Sequence, residues 1–568
     1  MTTLSLTRHP RVFLTLLTLA LLVPFLGKAF HMDDTVFLWC AEQILREPLD
    51  FYGFSANWSD SPYPMHIINQ NPPLIAYYIA LVAALFGWSE WVLHTAFLLP
   101  AVGFVLGTYS VARHFCSSPV AATLPALVSP AFIVSSTNVM AEVTMAALYV
   151  TAAAAWLHGL KTGLHRYLAL SALLISLSAM TKYFGITMVP LLLVFTCLQR
   201  EKPRYWYLYL LAPVAVVVAY QWLTLHLYGS NLLLRATSYS VSLGINSESS
   251  TLRRLATGLS FLGGCTLSVL LLAPKLWQTR TLLLYAAGLA LLSGLLLSVD
   301  LNGHFLAFRG ERQWTVVVQY ALFAVLGVQV IALTLSDLNH HRDDRAVLLA
   351  LWVLGTLTFA SLVNWSTNAR TLLPLTPVVG ILIVRRLELH HPGFSVARPW
   401  YALPMAMVAA VSLLVAFADQ SWANNQQLAA RKLAMDLGKY PHRVWFGGHW
   451  GFQWYMEKYG ALTLVKDSPI EPGDLVIKPD NNSNPIPLNE RDFTRVEVKS
   501  LPICCRLRTM SATTRAGFYS DFYGELPFTF APPQQDEFEI YIAGRFATPD
   551  EAQAYYHYSR DGAQQAAE

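Results

Sequence analysis

The chain has 568 residues, 54% of them hydrophobic and only 13% charged, with a mean hydropathy of +0.41 and a net charge of +4. Apolar runs of about 17 to 22 residues recur along it, the length needed to cross roughly 30 Å of hydrocarbon, so it reads as a polytopic membrane protein. The positive excess is too small, and too clearly sorted by loop, for a nucleic-acid binder; anionic headgroups and phosphates are the partners it suits.

In chain order, Arg8 and Arg11 precede an apolar run over residues 12–30 that lacks a small-x-small cleavage site near 27–31, so it is expected to be retained as a first span. Asp33 and Asp34 follow at once, opening a polar stretch. Two carboxylates at a bilayer surface can take a proton from an acceptor or hold a cation beside a phosphate. Residues 72–88 are apolar but short and open with Pro72-Pro73. Further spans are expected over 91–112, 120–136, 142–156, 167–180, 186–198, 205–225, 255–273, 281–299, 314–335, 346–363, 371–384 and 400–418.

Whether 72–88 crosses decides the side of every later loop. If it lies on the outer surface, the loops holding Arg113, Lys161, Arg166, Arg200, Lys202, Arg204, Lys275, Arg280, Arg342, Arg345, Arg385, Arg386 and Arg398 are all cytoplasmic, in agreement with Arg8 and Arg11. The opposite choice would turn nearly all of them outward, against a bias of about 1 kcal/mol per charge near an anionic leaflet. The reading is therefore about thirteen spans, with an outer first loop over 31–90 carrying surface-lying helices.

Residues 419–568 differ in composition: prolines, charges and alternating runs at 443–446, 475–478, 494–498 and 538–542, with Gly447-Gly448 and Pro472-Gly473 as turns. The expected division is a membrane domain over 1–418 and a small outer α/β domain over 419–568. Six cysteines, Cys40, Cys116, Cys197, Cys265, Cys504 and Cys505, have no metal-site spacing. His94, His340 and His341 read as packed or solvated histidines, and the aromatic stretch 449–459 as packing beneath a sheet or an interface belt, with a sugar-stacking platform as the alternative.

On this topology Asp33, Asp34, Glu142, Lys182, Arg309, Arg312 and Arg370 gather on one outer face, in loops otherwise poor in basic residues. Carboxylates that activate an attacking group, beside cations that hold a phosphate, suit a lipid-linked phosphate substrate. Asp33 and Asp34 also read as an interfacial charge pair, Glu142 as favouring its helix N-terminus, and Lys182 as snorkelling to headgroups.

The order of a first span, Asp33-Asp34, Asn71-Pro72-Pro73-Leu74, Phe86-Gly87-Trp88-Ser89-Glu90-Trp91, Ala112-Arg113, residues 138–142, Thr181-Lys182 and Ala369-Arg370-Thr371-Leu372-Leu373-Pro374 resembles glycosyltransferase family 39 over roughly residues 10–385. That family holds the protein O-mannosyltransferases and the lipid A aminoarabinose transferase, on the GT-C fold. The resemblance implies an inverting sugar transfer from a polyprenyl-phosphate donor to an envelope acceptor (lipid A, a glycan, a lipid or a protein) on the periplasmic face of a bacterial inner membrane.

It further implies Asp33 as the catalytic base or acceptor-orienting group. Asp34 stands where the family usually has Glu, and Glu142 where a second acid, usually Asp, serves the site. Asn71 replaces the Lys or His that commonly precedes Pro-Pro-Leu, leaving Lys182 and Arg370 to meet the phosphate. No cofactor is required; Asp34 and Glu142 are the candidate ligands for an optional divalent cation, magnesium or manganese.

An envelope polysaccharide polymerase or ligase would instead show a large outer loop late in the chain. A secondary transporter would show related halves and interrupted helices at mid-bilayer. Neither pattern is apparent.

Overall fold

A computed structural model of the chain describes residues 9–246, 251–298, 306–308, 311–483, 486–532 and 534–565. Among these, seven helices are long and apolar enough to cross a membrane: Glu90–Ala112, Ala141–Thr162, Trp206–Tyr228, Thr279–Ser298, Trp314–His341, Asp344–Val363 and Pro399–Leu437. Thr251–Cys265 and Ser268–Leu276, bent by 83° at their junction, form an eighth if taken as one span, and Pro10–Phe25, Leu74–Phe86 and Tyr183–Leu198 are shorter apolar helices.

Several expected spans are broken for local reasons. Residues 120–136 form Pro119–Leu127 and Pro130–Ser135, because Pro130 has no N–H to continue a helix and Ser129 caps the new one, its hydroxyl accepting from Phe132 N at 3.1 Å. Residues 371–384 pass through a short 3-10 turn, Leu373–Leu375, between Ala369–Leu372 and Thr376–His390. The Leu74–Phe86 helix has 13 residues and so is about 20 Å long, less than the hydrocarbon thickness. Gly87, at φ 94, ends it, and it packs on Asp34–Arg46 and Glu90–Ala112.

The bundle closes on small residues. A Cβ on Gly263 would lie 1.9 Å from the Phe323 carbonyl oxygen, and one on Gly327 would lie 2.2 Å from that of Leu259. The Thr251–Cys265 and Trp314–His341 helices thus meet backbone to backbone, a contact suited to apolar surroundings, where dispersion instead of water release drives helix association.

At one end of the bundle Arg385 pairs with Asp337 at 2.8 Å, Glu388 accepts from the Ser118 amide at 2.7 Å, and His391 meets the Lys275 carbonyl. The loops carrying Asp33, Glu142, Lys182 and Arg370 meet at the other end, together with the C-terminal region.

Pro399–Leu437 joins the two regions as one 39-residue helix, about 58 Å long, so residues 418 and 419 fall inside continuous helix. Beyond it lies a five-stranded mixed sheet in the order Leu462–Thr463, Val444–Phe446, Leu475–Pro479, Gln535–Ala543, Phe493–Pro502. The first three strands are parallel and the last two antiparallel to their neighbours. Phe538, Ile540 and Ile542 are fully buried at alternate positions of the Gln535–Ala543 strand, the period-two pattern of a sheet with one face in the core.

The Trp450–Lys458 helix crosses from Val444–Phe446 to Leu462–Thr463 and packs its aromatic residues inward. A Cβ on its Gly451 would lie 2.0 Å from the Phe30 carbonyl oxygen, so this helix rests directly on the end of the first apolar segment.

Candidate active site

Asp33 and Asp34 point in different directions, and the backbone explains why. Met32 sits in the left-handed region at φ 49, a conformation costing a non-glycine residue about 1 kcal/mol, and it turns the chain sharply into the Asp34–Arg46 helix. Asp33 is the N-cap by position, yet its side chain makes no capping bond and reaches out to Arg370 instead. Asp34 is fully buried, its two oxygens accepting from the backbone N–H groups of His31 at 2.9 Å and Val139 at 2.8 Å. Burial pushes its pKa up to about 7, against the opposing pull of Lys28 and those two donors. Asp34 thus ties the first loop to the segment preceding Ala141–Thr162.

Arg370 is the hub. Asn368 caps its short helix, the side-chain oxygen accepting from Thr371 N at 2.9 Å, which leaves the guanidinium to turn inward. Its Nη1 lies 2.9 Å from Asp33 Oδ2, 3.4 Å from Glu142 Oε1 and 2.9 Å from the Met140 sulfur. Glu142, in the first turn of Ala141–Thr162, also accepts from Lys182 Nζ at 2.9 Å. Lys182 stands where the His165–Thr181 helix breaks into extended backbone before a 3-10 turn, and so projects from a helix end.

The result is a chain of alternating charge, Asp33–Arg370–Glu142–Lys182, contributed by four separate segments. Asp33 and Lys182 are its open ends, their side chains 37% and 26% exposed, while Arg370 and Glu142 are buried. Arg370 Nε and Glu142 Oε2 are buried without a hydrogen-bond partner among the described residues, polar capacity that a ligand could use.

The other expected residues lie differently. Asn71 is half-buried and held locally: its side-chain amide donates to Asn69 and its carbonyl accepts from Tyr52 at 2.5 Å. Arg309 falls outside the described residues, and Arg312 lies on the short strand Glu311–Arg312. No group of three or more His, Cys, Asp or Glu is placed to hold a metal ion among the described residues. Of the two candidate donors, Asp34 has both oxygens accepting from backbone N–H groups, and Glu142 has Oε1 between Lys182 and Arg370. His94 is buried within its helix, its ring nitrogens on the Glu90 and Thr137 carbonyls.

Sequence reasoning missed a second buried charge cluster directly behind the first. Lys28 and Asp419, both fully buried, pair at 2.5 Å. Lys28 also donates to Asn138 Oδ1 at 2.6 Å, and Asp419 accepts from the hydroxyls of Thr509 at 2.6 Å and Tyr519 at 2.7 Å. His31 Nε2 lies 3.6 Å from the same carboxylate, with its pKa lowered by burial against the raising effect of Asp419. A lone lysine inside an apolar run was the available signal, since an ionisable residue at membrane depth requires a partner.

Comparison with known families meets this geometry in the middle of the chain. Residues 70–224 match the family described as dolichyl-phosphate-mannose-protein mannosyltransferase. The match holds Asn71, Glu142 and Lys182; Asp33 and Arg370 lie outside it and are joined to it by the ion pairs above.

Among solved structures, the chain is similar to the oligosaccharyltransferase of Archaeoglobus fulgidus at 13% identity and a TM-score of 0.49, over 81% of this chain and 65% of that one. It thus spans less than two thirds of that protein's length. It is also similar to ArnT from Cupriavidus metallidurans, solved with undecaprenyl phosphate, at 13% identity and a TM-score of 0.45, over 83% of this chain and 93% of that one. A third likeness is to the arabinofuranosyltransferase AftD from Mycobacteria, at 13% identity and a TM-score of 0.38, over 95% of this chain and 40% of that one. Comparison with curated protein sequences gave no match.

Proposed function

We propose that the chain is an inverting membrane glycosyltransferase of GT-C type. It transfers a sugar from a polyprenyl-phosphate donor to an envelope acceptor at the periplasmic face of a bacterial inner membrane. The observation that carries this reading is the Asp33–Arg370–Glu142–Lys182 cluster at one end of an apolar bundle, a partly exposed carboxylate in one charge chain with two cations suited to a lipid-borne phosphate. The family match over residues 70–224 supports the same substrate class.

The chemistry follows from the charges. Asp33 accepts the proton of an acceptor hydroxyl or amine as that atom's lone pair bonds to the anomeric carbon. The bond from that carbon to the phosphate oxygen breaks, its electron pair leaving with the polyprenyl phosphate. Arg370 and Lys182 stabilise the charge that develops there, and because the leaving phosphate is weakly basic no strong general acid is needed. Glu142 keeps two cations side by side that would otherwise repel. One displacement from the face opposite the phosphate inverts the anomeric centre.

The test is reconstitution of the purified chain in vesicles with polyprenyl-phosphate sugars, followed by mass spectrometry of acceptor and released lipid. Formation of a glycosylated acceptor together with free polyprenyl phosphate is expected. Absence of both across dolichyl and undecaprenyl donors would overturn the assignment.

A further inference from the structure

The C-terminal region is not a separate appendage. The loop that bears Arg370 is laced to a tail segment: Thr367 N donates to Asp521 Oδ1 at 3.1 Å, Asp521 N donates to the Thr367 carbonyl at 2.9 Å, and Ala369 N donates to the Phe518 carbonyl at 3.0 Å. The same segment is pinned to the bundle on its far side. Glu525 accepts from Arg253 at 3.0 Å, the Phe528 and Phe323 rings lie 5.2 Å apart, and Gln319 and Phe530 exchange two hydrogen bonds of 2.8 and 3.0 Å.

Between these anchors Tyr519 is inserted, 1% exposed, against the guanidinium: Arg370 Cζ lies 5.1 Å from its ring centroid, and Arg370 Nη2 donates to its carbonyl at 3.4 Å. Its hydroxyl donates to Asp419, itself held by Lys28, and accepts from Asn138 Nδ2 at 3.0 Å.

We infer that Tyr519 is a positioning residue of the active site, holding the Arg370 guanidinium in the plane from which it meets Asp33 and the donor phosphate. The inference rests on the glycosyltransferase reading for the identity of the ligand. The physical need for it is visible in Arg370 itself. Its Nη1 serves Asp33, Glu142 and Met140, its Nε has no partner among the described residues, and so the Tyr519 ring and carbonyl hold the face and the Nη2 corner of the guanidinium that those ion pairs leave free. A ring face attracts the cation without consuming an N–H donor, leaving that capacity for substrate.

A double-mutant cycle tests this, using undecaprenyl phosphate affinity and kcat for transfer as parallel readouts. Tyr519→Leu is expected to weaken both about 10-fold in the Arg370 background and less than about 2-fold in the Arg370→Lys background, because a residue acting through Arg370 has nothing left to position. Tyr519→Phe, which keeps the ring and loses only the bond to Asp419, is expected to lose less than Tyr519→Leu. Thermal melting in detergent reports whether each variant folds. If the leucine variant does not, Tyr519→Met, which also removes the ring, carries the cycle, and its loss must shrink in the Arg370→Lys background.

Equal losses in both backgrounds overturn the inference, because Tyr519 would then act on stability alone. Coupled losses of lipid affinity in a chain that transfers no sugar would retain the positioning role and refute the transferase reading. Failure of the unsubstituted chain to bind the lipid would overturn both.

Discussion

Arg370 and Asp33 are 337 residues apart in sequence and 2.9 Å apart in space, and their ion pair joins the first loop directly to the Arg370 loop. The pairing aims the Asp33 carboxylate, with more than a third of its side chain open to a reactant. Replacing it with Asn keeps shape and hydrogen bonding and removes only the proton acceptor. Asp33→Asn is expected to lower transfer at least 100-fold while the protein still inserts, purifies and melts normally. Substantial turnover in that variant, measured by acceptor mass spectrometry, would remove Asp33 from the chemistry.

Lys182 and Arg370 share Glu142, yet they should answer differently to substitution. Arg370→Lys keeps the charge but one ammonium cannot reach Asp33, Glu142 and the Tyr519 carbonyl together, so kcat/KM is expected to fall about 10- to 100-fold. Lys182 lies at the open end, and Lys182→Met is expected to raise KM for the donor more than it lowers kcat. Steady-state kinetics in mixed micelles separates the two. No effect on either KM or kcat at Lys182 would place the phosphate elsewhere.

The Lys28–Asp419 pair makes a structural prediction. Both groups are removed from water and each has other buried polar neighbours, so deleting one partner strands a charge. Lys28→Met and Asp419→Leu are each expected to cost roughly 3 to 5 kcal/mol, and the double variant to cost less than their sum. Detergent melting curves of the three variants provide the check.

How far all this was legible from sequence depends on the range of the interactions. The seven long apolar helices announce themselves by continuous apolar composition, and the sheet strands near 444, 475, 494 and 538 by alternation, because both signals are local. Asp33, Glu142, Lys182 and Arg370 stand out because charge at helix ends is rare in so apolar a chain. Asp419 and Tyr519 carry no such signal. Asp419 sits where composition shifts from span to tail and so reads as a domain boundary, while its partner Lys28 is 391 residues away. Nothing local marks Tyr519 as different from other tail tyrosines; only the folded contact with Arg370 does. The 83° bend between Thr251–Cys265 and Ser268–Leu276 was equally hidden, since hydropathy records how apolar a stretch is and not its direction.

The final prediction concerns pH and the joint between the long helix and the sheet. Asp536 is 3% exposed, with one oxygen accepting from Asn425 at 2.8 Å and the other without a partner among the described residues. Burial pushes its pKa up to about 7, outweighing Asn425 and Arg508, while the unfolded chain would titrate near 3.8. Between those values the folded protein keeps a proton that the unfolded chain has released. The contribution of this group to stability is therefore fully present below about pH 4, falls by roughly 4 kcal/mol as pH rises to about 7, then levels off. Asp34 and Asp521, also raised by burial, act in the same direction, so the informative quantity is the difference between variant and parent. Asp536→Asn cannot ionise, and it is expected to melt at a higher temperature than the parent at pH 8, with the gap narrowing as pH falls toward 5. Parallel melting profiles across that range would show that Asp536 does not carry the proton.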